Sequence, residues 1–213
     1  MPARGKIRTM TEDEYLRFEE KAKVSHEFVD GHVFAMSGST QAHNVICGNV
    51  FAALHGSLRG GPCQAYANDM KLKISSVSSY YYPDIMVSCE PFEAKSIFKH
   101  SPVLVIEILS PSTMQIDRRE KLVAYQKIAS LKEYVIIYQD RQRAEVYRRG
   151  EISGGWEFSV LSAQLDLVLE SLPNGPLVLS FSTIYEGYNP PSRVQESEGF
   201  YDLETEFTEF ADA

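Results

Sequence analysis

The sequence predicts a mixed α/β domain in which helices flank a central mixed β-sheet. Three observations support this fold class. Short stretches rich in Val, Ile and Leu, such as residues 102–109, have the length and composition of buried strands. Apolar residues recur at three- and four-residue steps over residues 41–58, as in a helix. The 213 residues, of which 44% are hydrophobic and 23% charged, are enough for one domain with its own core.

The first half of the chain begins with a short helix and a hairpin. Thr11 and Glu14 have the spacing of a capping box and predict the start of a helix. Asp30-Gly31 lies between two apolar runs and predicts the tight turn of a β-hairpin. The remaining predictions are helices at 11–21 and 41–58 and single strands at 63–74 and 80–89.

The second half alternates strands with one helix. Residues 102–109 predict a buried strand that Pro111 ends, because proline cannot continue the ladder of hydrogen bonds. The helix that follows is expected to place Leu122, Val123 and Tyr125 on its apolar side. The other predicted elements are that helix at 115–127, strands at 133–138, 144–149, 156–161 and 165–170, and a closing segment at 181–185.

The net charge of −8 is unevenly distributed along the chain. Residues 190–213 contain one basic and seven acidic residues, a net charge of −6, which leaves −2 on residues 1–189. This pattern predicts a nearly neutral domain followed by an acidic tail that is solvated or loosely docked. The alternative for the tail is an acidic and aromatic segment that covers a basic cleft. A nearly neutral domain can hold nucleic acid only through a local basic surface, for which the sequence offers Arg118, Arg119, Lys121, Lys127 and Lys132.

Cysteine usage and hydropathy indicate a cytoplasmic protein. Cys47, Cys63 and Cys89 are an odd number without a CxxC pair, so neither a disulfide framework nor a zinc ribbon is expected. Cys47 lies on an apolar helix face and is predicted to pack in the core rather than to act as a nucleophile. No segment resembles a signal peptide or approaches the ~20 apolar residues of a membrane span, so no membrane association is expected.

Two acidic residues lie in segments that otherwise have the composition of core strands. Asp84 precedes an apolar run, and Glu107 is in the middle of the strand predicted at 102–109. A buried carboxylate is unfavourable unless it is paired, hydrogen-bonded or bound to a metal. On adjacent strands the two carboxylates would lie within ~4–6 Å of each other. Mg²⁺ prefers oxygen ligands of this kind, and a nearby lysine could assist at a phosphoryl group.

The order of these segments resembles a known family. HEFVDGHVFAMSG, AHNVICGNVFAAL, NDMKLKI, YYYPDIMV, EILSPST and DRREKLVAYQKIASLKEYVIIYQDRQRAEVYRR are similar to the Uma-type restriction endonucleases, within the PD-(D/E)xK nuclease superfamily. The resemblance covers about residues 11–188. It implies a restriction-endonuclease-like fold at 1–189 and cleavage of phosphodiester bonds, with Mg²⁺ as the cofactor and Mn²⁺ as a second candidate. The resemblance itself implies no particular substrate; DNA is the expected one, with RNA as the alternative, and a homodimer is expected by analogy with nucleases that cut both strands.

The resemblance implies the roles of three residues. Asp84 and Glu107 correspond to the metal-binding acids of the family. The superfamily places a lysine two residues after the second acid, but Leu109 stands there in this chain. Lys121, on the following helix, is similar in placement to the lysine that takes this role in the family. The alternative for Lys121 is an exposed helix residue that pairs with Asp117.

Three further residues are predicted to support the site. Glu27 is either a third acidic ligand or a solvent-facing hairpin residue. His43 either carries a proton or binds a phosphate near the site, or only hydrogen-bonds to the backbone at the start of its helix. Asp69 either lines the same cleft or pairs with Lys71 or Lys73.

Together these residues predict a metal-dependent DNA endonuclease. Asp84 and Glu107 would hold the metal, Glu27 would assist, and Lys121 would align the attacking water. The rival hypothesis is a catalytically inactive nuclease-fold module for binding or assembly, since the strand lysine is missing and the domain is nearly neutral. The nuclease hypothesis expects the carboxylates of Asp84 and Glu107 to lie within metal-bridging reach of each other and Lys121 to point at them. If the two carboxylates face different sides of the sheet, the module hypothesis is favoured.

Overall fold

Mixed β-sheets flanked by helices form the described part of the chain, which confirms the predicted fold class. The computed structural model describes residues 6–36, 38–109, 116–150 and 155–190. The predicted tail beyond residue 190 lies outside these ranges, as does the side chain of Asp117.

The elements follow one another along the chain with short connections. In order they are β1 (Lys6–Thr9), α1 (Glu12–Glu19), β2 (His26–Val29), β3 (His32–Ala35), α2 (Gln41–Ser57), β4 (Gln64–Ala67), β5 (Lys71–Ile74), a 3₁₀ turn (Ser75–Val77), β6 (Ser79–Tyr81), β7 (Ile85–Ser88), β8 (Phe98–Lys99), β9 (Pro102–Leu109), a π-helical segment (Ile116–Lys121), α3 (Leu122–Gln126), β10 (Glu133–Tyr138), β11 (Arg143–Arg149), β12 (Trp156–Ser162), β13 (Leu167–Leu169), β14 (Leu177–Leu179) and α4 (Phe181–Ile184). None of the described helices is long and apolar enough to cross a membrane.

The strands form two six-stranded sheets and one separate pair. The first sheet has the order β1-β3-β2-β6-β5-β8, and the second has the order β12-β11-β10-β9-β7-β4. In the second sheet β9 and β10 are parallel, whereas their outer neighbours β7 and β11 run antiparallel to them. α2 packs on one face of this second sheet, and α3 packs on the other face together with β5 and β6 of the first sheet.

Two segments predicted as single strands each contribute to both sheets. Residues 63–74 form β4 in the second sheet and β5 in the first, with Asn68 at a positive φ of 55° between them. Residues 80–89 divide in the same way at Pro83-Asp84, between β6 and β7. The predictions of single strands were therefore wrong, because alternation along a segment does not reveal that it changes partner strands.

Several local predictions are confirmed by hydrogen bonds and dihedral angles. The Thr11 hydroxyl accepts a hydrogen bond from the Glu14 N–H at 3.3 Å, and the Glu14 carboxylate accepts one from the Thr11 N–H at 2.8 Å. Asp30 and Gly31 have φ values of 45° and 79°, as a two-residue hairpin turn of type I′ requires. In α3, Tyr125 is buried as predicted, but Val123 is exposed.

The cysteines differ from the sequence expectation. Cys63 and Cys89 form a disulfide, although the sequence indicated none. Gln64 pairs with Ser88 in the β4–β7 ladder, so the two cysteines are the next residues opposite each other. The sequence could not reveal this pair, because it depends on the register of two separate strands. Cys47 is buried in the core as predicted, and burial raises the pKa of its thiol to about 12.

Candidate active site

The carboxyl ends of β9 and β10 form one edge of the second sheet, and the candidate site lies there. β9 ends at Leu109 and β10 ends at Tyr138, and these residues pair in the parallel ladder. The antiparallel strands β7 and β11 begin at the same edge, so Asp84 lies there directly before β7. This topology brings residues from distant parts of the chain to one place.

Asp84 is held through one oxygen of its carboxylate. The Ile108 N–H donates to Asp84 Oδ2 at 2.7 Å, and His43 Nε2 lies 3.0 Å from the same oxygen. Asp84 is next to Glu107 across the strands, since Ile85 pairs with Ile106 in the antiparallel ladder. The second oxygen, Oδ1, accepts no hydrogen bond from the described residues, and the side chain is 19% exposed. The carboxylate is thus oriented on one side and accessible on the other.

His43 is positioned by the first turn of α2. Its backbone N–H donates to the hydroxyl of the helix-capping residue Thr40 at 3.1 Å. The same hydroxyl donates to Gln139 Oε1 at 2.8 Å, which ties the start of α2 to the end of β10. The His43 ring therefore contacts the Asp84 carboxylate rather than only the backbone, and its role as a proton carrier or phosphate ligand stays a prediction.

Glu107 and Lys121 form a buried ion pair on the face covered by α3. Lys121 Nζ lies 2.9 Å from Glu107 Oε1 and 3.5 Å from Glu27 Oε1. The hydroxyl of Tyr125, one helical turn after Lys121, donates to Glu107 Oε1 at 2.8 Å. Burial, and then the charge of Glu107, raise the pKa of Tyr125 well above its ordinary value. The tyrosine therefore remains a hydrogen-bond donor to the carboxylate.

The two remaining supporting residues have different surroundings. Glu27, on β2 of the first sheet, is buried next to Lys121, so it is not a solvent-facing hairpin residue. Asp69 is exposed in the turn between β4 and β5, where its N–H donates to the Ala67 carbonyl at 2.8 Å. No hydrogen bond or ion pair joins its side chain to Asp84 among the described residues. Of its two predicted partners, Lys73 pairs with Glu12, whereas Lys71 lies close enough for the charge of Asp69 to oppose the lowering of its pKa by burial.

Two buried groups near the site were not singled out from the sequence. Tyr125 could have been found from its spacing, since it lies four residues after Lys121 on the same helix face. Glu145 is completely buried on β11 and aligned with Glu107 across β10. Its signal was an acid inside a strand, but the neighbouring Arg148 and Arg149 made that strand look solvent-facing.

The oxygen donors of the site fit Mg²⁺ bound together with a substrate. Among the described residues there is no group of three or more His, Cys, Asp or Glu side chains arranged to hold a metal. Mg²⁺ commonly takes one or two carboxylates and completes its shell with water and substrate phosphates. Asp84, with one oxygen left without a hydrogen bond among the described residues, is a donor of that kind. Glu107 would be the second donor from the neighbouring strand, where Lys121 and Tyr125 contact its Oε1. A closed zinc site would need more protein ligands.

Comparison with known proteins agrees with the fold and with the order of the motifs. The model of the Uma2 family, described as "Putative restriction endonuclease", matches residues 12–178. Two uncharacterized proteins from Synechocystis, slr1290 and sll1609, are each 32% identical to this chain. The first match covers 84% of this chain and 92% of the relative, and the second covers 66% and 81%.

A solved structure is also similar. The crystal structure of a protein from Anabaena variabilis, titled as a "putative nuclease belonging to DUF820", matches with a TM-score of 0.67 and 21% identity. The match covers 82% of this chain and 97% of that chain. At this level of identity the comparison supports the restriction-endonuclease-like fold.

Proposed function

The chain belongs to the Uma2 family of restriction-endonuclease-like proteins, and on this premise we propose that it is a metal-dependent endonuclease that hydrolyses phosphodiester bonds in DNA. Family membership and fold support a nuclease. The observation that carries the finer proposal is the ion pair between Lys121 and Glu107. This pair places a lysine beside Glu107, whereas β9 itself has Leu109 at the position where the superfamily has its lysine. Glu107 directly precedes Ile108, whose N–H donates to Asp84.

Asp84 and Glu107 are the residues that would hold the metal. With Mg²⁺ or Mn²⁺ bound, the metal would supply Lewis-acid stabilisation of the scissile phosphate and of the leaving oxygen. Asp84 is prepared for this role, because the Ile108 N–H and His43 fix one of its oxygens and leave the other accessible. We assign His43 a positioning role, since its ring orients the Asp84 carboxylate.

Lys121 supplies a fixed positive charge beside the carboxylates. The buried ammonium is held by Glu107 and Glu27, so little reorganisation is needed when negative charge develops on a phosphoryl oxygen. The same ammonium would orient the attacking water. Tyr125 keeps Glu107 in place by donating to the oxygen that Lys121 also contacts. Glu27 would assist by holding Lys121 from the first sheet.

A cleavage assay tests the proposal. Purified full-length protein is incubated with supercoiled duplex DNA, single-stranded DNA or RNA, with Mg²⁺, Mn²⁺ or EDTA. We expect nicking or linearisation of DNA that needs the metal and falls by at least about 10³-fold in Asp84→Asn and in Glu107→Gln. Asp166→Asn, which changes an exposed acid in the turn before β13, is the matched control. Unchanged cleavage in Asp84→Asn would remove the catalytic assignment.

The rival function, a binding module without activity, predicts a different result. It is favoured by the engagement of Glu107 with Lys121 and Tyr125, which can also be a structural arrangement. In that case the wild-type chain would bind nucleic acid and cleave none of the substrates with either metal. Cleavage by the wild type that disappears in Asp84→Asn would exclude it.

A further inference from the structure

A completely buried carboxylate on β11 organises basic side chains beside the candidate active site. Glu145 is 0% exposed, and its Oε1 accepts a 2.5 Å hydrogen bond from the Tyr138 hydroxyl. Arg118 Nε lies 3.1 Å from Glu145 Oε2, and Arg143 Nη2 lies 3.6 Å from Oε1. A buried carboxylate is tolerated only when cations and donors replace its lost hydration. Glu145 therefore fixes two guanidinium groups in place.

The ring of Tyr138 brings a third arginine to the same place. The guanidinium carbons of Arg141 and Arg143 lie 5.1 and 5.2 Å from the ring centroid, within the range of cation–π contacts. Arg141 also pairs with Asp140 at 3.1 Å. The side chains of Arg118, Arg141 and Arg143 are 34%, 40% and 37% exposed. These three residues are named the arginine cluster here.

The arginine cluster retains donors that the described residues do not use. Arg118 binds Glu145 through Nε, and its two terminal nitrogens donate to none of the described residues. Arg143 Nε is buried and has no hydrogen-bond acceptor in the described part of the chain. This N–H is itself out of reach of a ligand, so the donors that a ligand can contact are the terminal nitrogens of the partly exposed guanidinium groups. The cluster therefore has both charge and hydrogen bonds to offer a ligand.

The arginine cluster lies on the same sheet face as Glu107. Glu107 and Glu145 both pair with Ile136, one from each side, so their Cα atoms are two strand spacings, or ~10 Å, apart. The π-helical segment spans this distance, because Lys121 contacts Glu107 and Arg118 contacts Glu145. Every nucleotide of a strand carries one phosphate, so a strand bound at the candidate site would place another phosphate near the cluster within a few nucleotides.

We propose that the arginine cluster binds the phosphodiester backbone of the nucleic acid, within a few nucleotides of the phosphate that is cleaved. Guanidinium groups match the geometry of phosphate oxygens and can bind them with two hydrogen bonds. The inference rests on the proposed function, because it takes the bound strand to continue into the candidate active site. It also answers the objection that a nearly neutral domain needs a local basic surface.

The arginine cluster shares only Arg118 with the basic group that the sequence indicated. Of that group, Lys121 is buried, and Lys132 precedes β10 at the opposite edge of the sheet. Lys127 directly follows α3 and is exposed. Arg59 is exposed and follows α2, whose 17 residues place it ~26 Å from the turn that holds His43. Arg59, Lys127 and Lys132 therefore form a control set with the same charge and no place in the proposed site.

Binding is tested without cleavage, so that the two proposals can fail separately. The full-length Asp84→Asn chain in EDTA is titrated against fluorescently labelled duplex DNA, single-stranded DNA and RNA over a series of salt concentrations. The triple variant Arg118→Gln/Arg141→Gln/Arg143→Gln is expected to lower affinity by at least about tenfold. It should also reduce the slope of log affinity against log salt by ~2–3, at ~0.7–0.9 per phosphate contact. The substrate whose slope falls most identifies the backbone that the cluster binds.

Two further variants keep the test decisive. The triple variant Arg59→Gln/Lys127→Gln/Lys132→Gln removes the same charge and is expected to leave the slope unchanged. Since loss of Arg118 and Arg143 could destabilise the buried Glu145, Arg141→Glu serves as the second cluster variant. The Arg141 side chain contacts the partly exposed Asp140 and the Tyr138 ring but forms no ion pair with Glu145 among the described residues, so this chain should melt within a few degrees of the wild type and still bind more weakly.

The outcomes separate the inference from the proposed function. Equal losses in the two triple variants, or wild-type binding by Arg141→Glu, would overturn the inference. A wild-type chain that cleaves DNA while the arginine cluster variants bind normally would overturn the inference and leave the proposed function in place. A chain that binds through the cluster and cleaves nothing with either metal would overturn only the proposed function.

Discussion

The two faces of the strands β9, β10 and β11 differ in what they bury. The face toward α2 is entirely aliphatic at its centre, with Ile106, Ile108, Val135, Ile137, Ala144 and Val146. The face toward α3 carries Glu107 and Glu145 in one row, surrounded by tyrosines and by the cations Lys121 and Arg118. The central residues of both faces are buried, but only the α3 face contains buried charge.

The α2 face therefore contributes mainly to the stability of the fold, whereas the charged residues of the proposed site lie on the α3 face. Aliphatic packing on the α2 face contributes favourable burial free energy without any specific partner. On the α3 face each buried carboxylate depends on particular cations and hydroxyl groups, so the net stabilisation is small and the dependence on single residues is large. A protein gains little stability from such a row, and the reason to keep it is the site that it forms.

The largest expected effect comes from removing the cation on the charged face. Lys121→Met leaves Glu107 and Glu27 buried without the ammonium, and we expect the free energy of unfolding to fall by about 3–5 kcal/mol. Adding Glu107→Gln should recover part of the loss, because one buried charge is then removed as well. Cleavage is expected to be lost in both variants. Urea denaturation and the nuclease assay measure these two effects.

The control for that comparison is Lys127→Met, which alters an exposed lysine that follows the same helix. Its unfolding free energy should stay within about 0.5 kcal/mol of the wild type. If Lys121→Met were no more destabilising than this control, the charged face would not depend on its ion pair.

The next effect concerns the aliphatic face and should change stability alone. Leu54 on α2 is fully buried in the core cluster on that face. Leu54→Ala creates a cavity and is expected to lower the free energy of unfolding by about 3 kcal/mol. The rate of cleavage per folded molecule should be unchanged, as judged at a temperature where the variant is folded. Leu165→Ala, at an exposed position, is the matched control. A loss of activity in folded Leu54→Ala would mean that the two faces are not independent.

The smallest effect comes from an ion pair near the surface of the first sheet. Hydrogen bonds from the Lys73 ammonium and then from the Tyr80 hydroxyl lower the pKa of Glu12 below its ordinary value of 4.5. The stabilisation is therefore complete above that value and is lost as pH falls through the lower pKa of the folded state. We expect Glu12→Gln to lower the free energy of unfolding by less than about 1 kcal/mol at neutral pH.

The pH dependence gives this prediction its own test. The difference between the wild type and Glu12→Gln should shrink toward zero in denaturation curves measured well below the folded pKa of Glu12. A difference that is the same at neutral and at acidic pH would indicate that the carboxylate charge does not contribute.

Much of the local structure could be predicted from the sequence, since it depends on neighbouring residues. The capping box of Thr11 and the Asp30-Gly31 turn are determined by a few consecutive residues, and both occur as expected. The partner strands of β4, β5, β6 and β7 could not be predicted, because each choice depends on residues far along the chain. The passage of the chain from one sheet to the other at Asn68 and at Pro83-Asp84 was therefore found only in the structure.

In the candidate site, too, only the residues that a local sequence pattern marks could be predicted. Asp84 and Glu107 stood out because an acid in an apolar segment is unusual, and the structure brings them to adjacent strands. Glu145 is buried just as deeply, but its short strand also carries Arg143, Arg148 and Arg149, so a further charged residue gave no such contrast. Its importance depends on Arg118 and Arg143 meeting it in space, which no local pattern reveals.

The disulfide between Cys63 and Cys89 has a consequence for the path of the chain. Between these cysteines the backbone leaves the second sheet after β4, passes through β5 and β6 of the first sheet, and returns as β7. The bond makes this excursion a covalent ring with a sequence separation of 26. Closing a ring of that size lowers the entropy of the unfolded chain by an amount worth about 3.5 kcal/mol. Asp84 lies inside the ring, directly before β7. The disulfide therefore keeps β7 linked to β4 even when the two sheets separate.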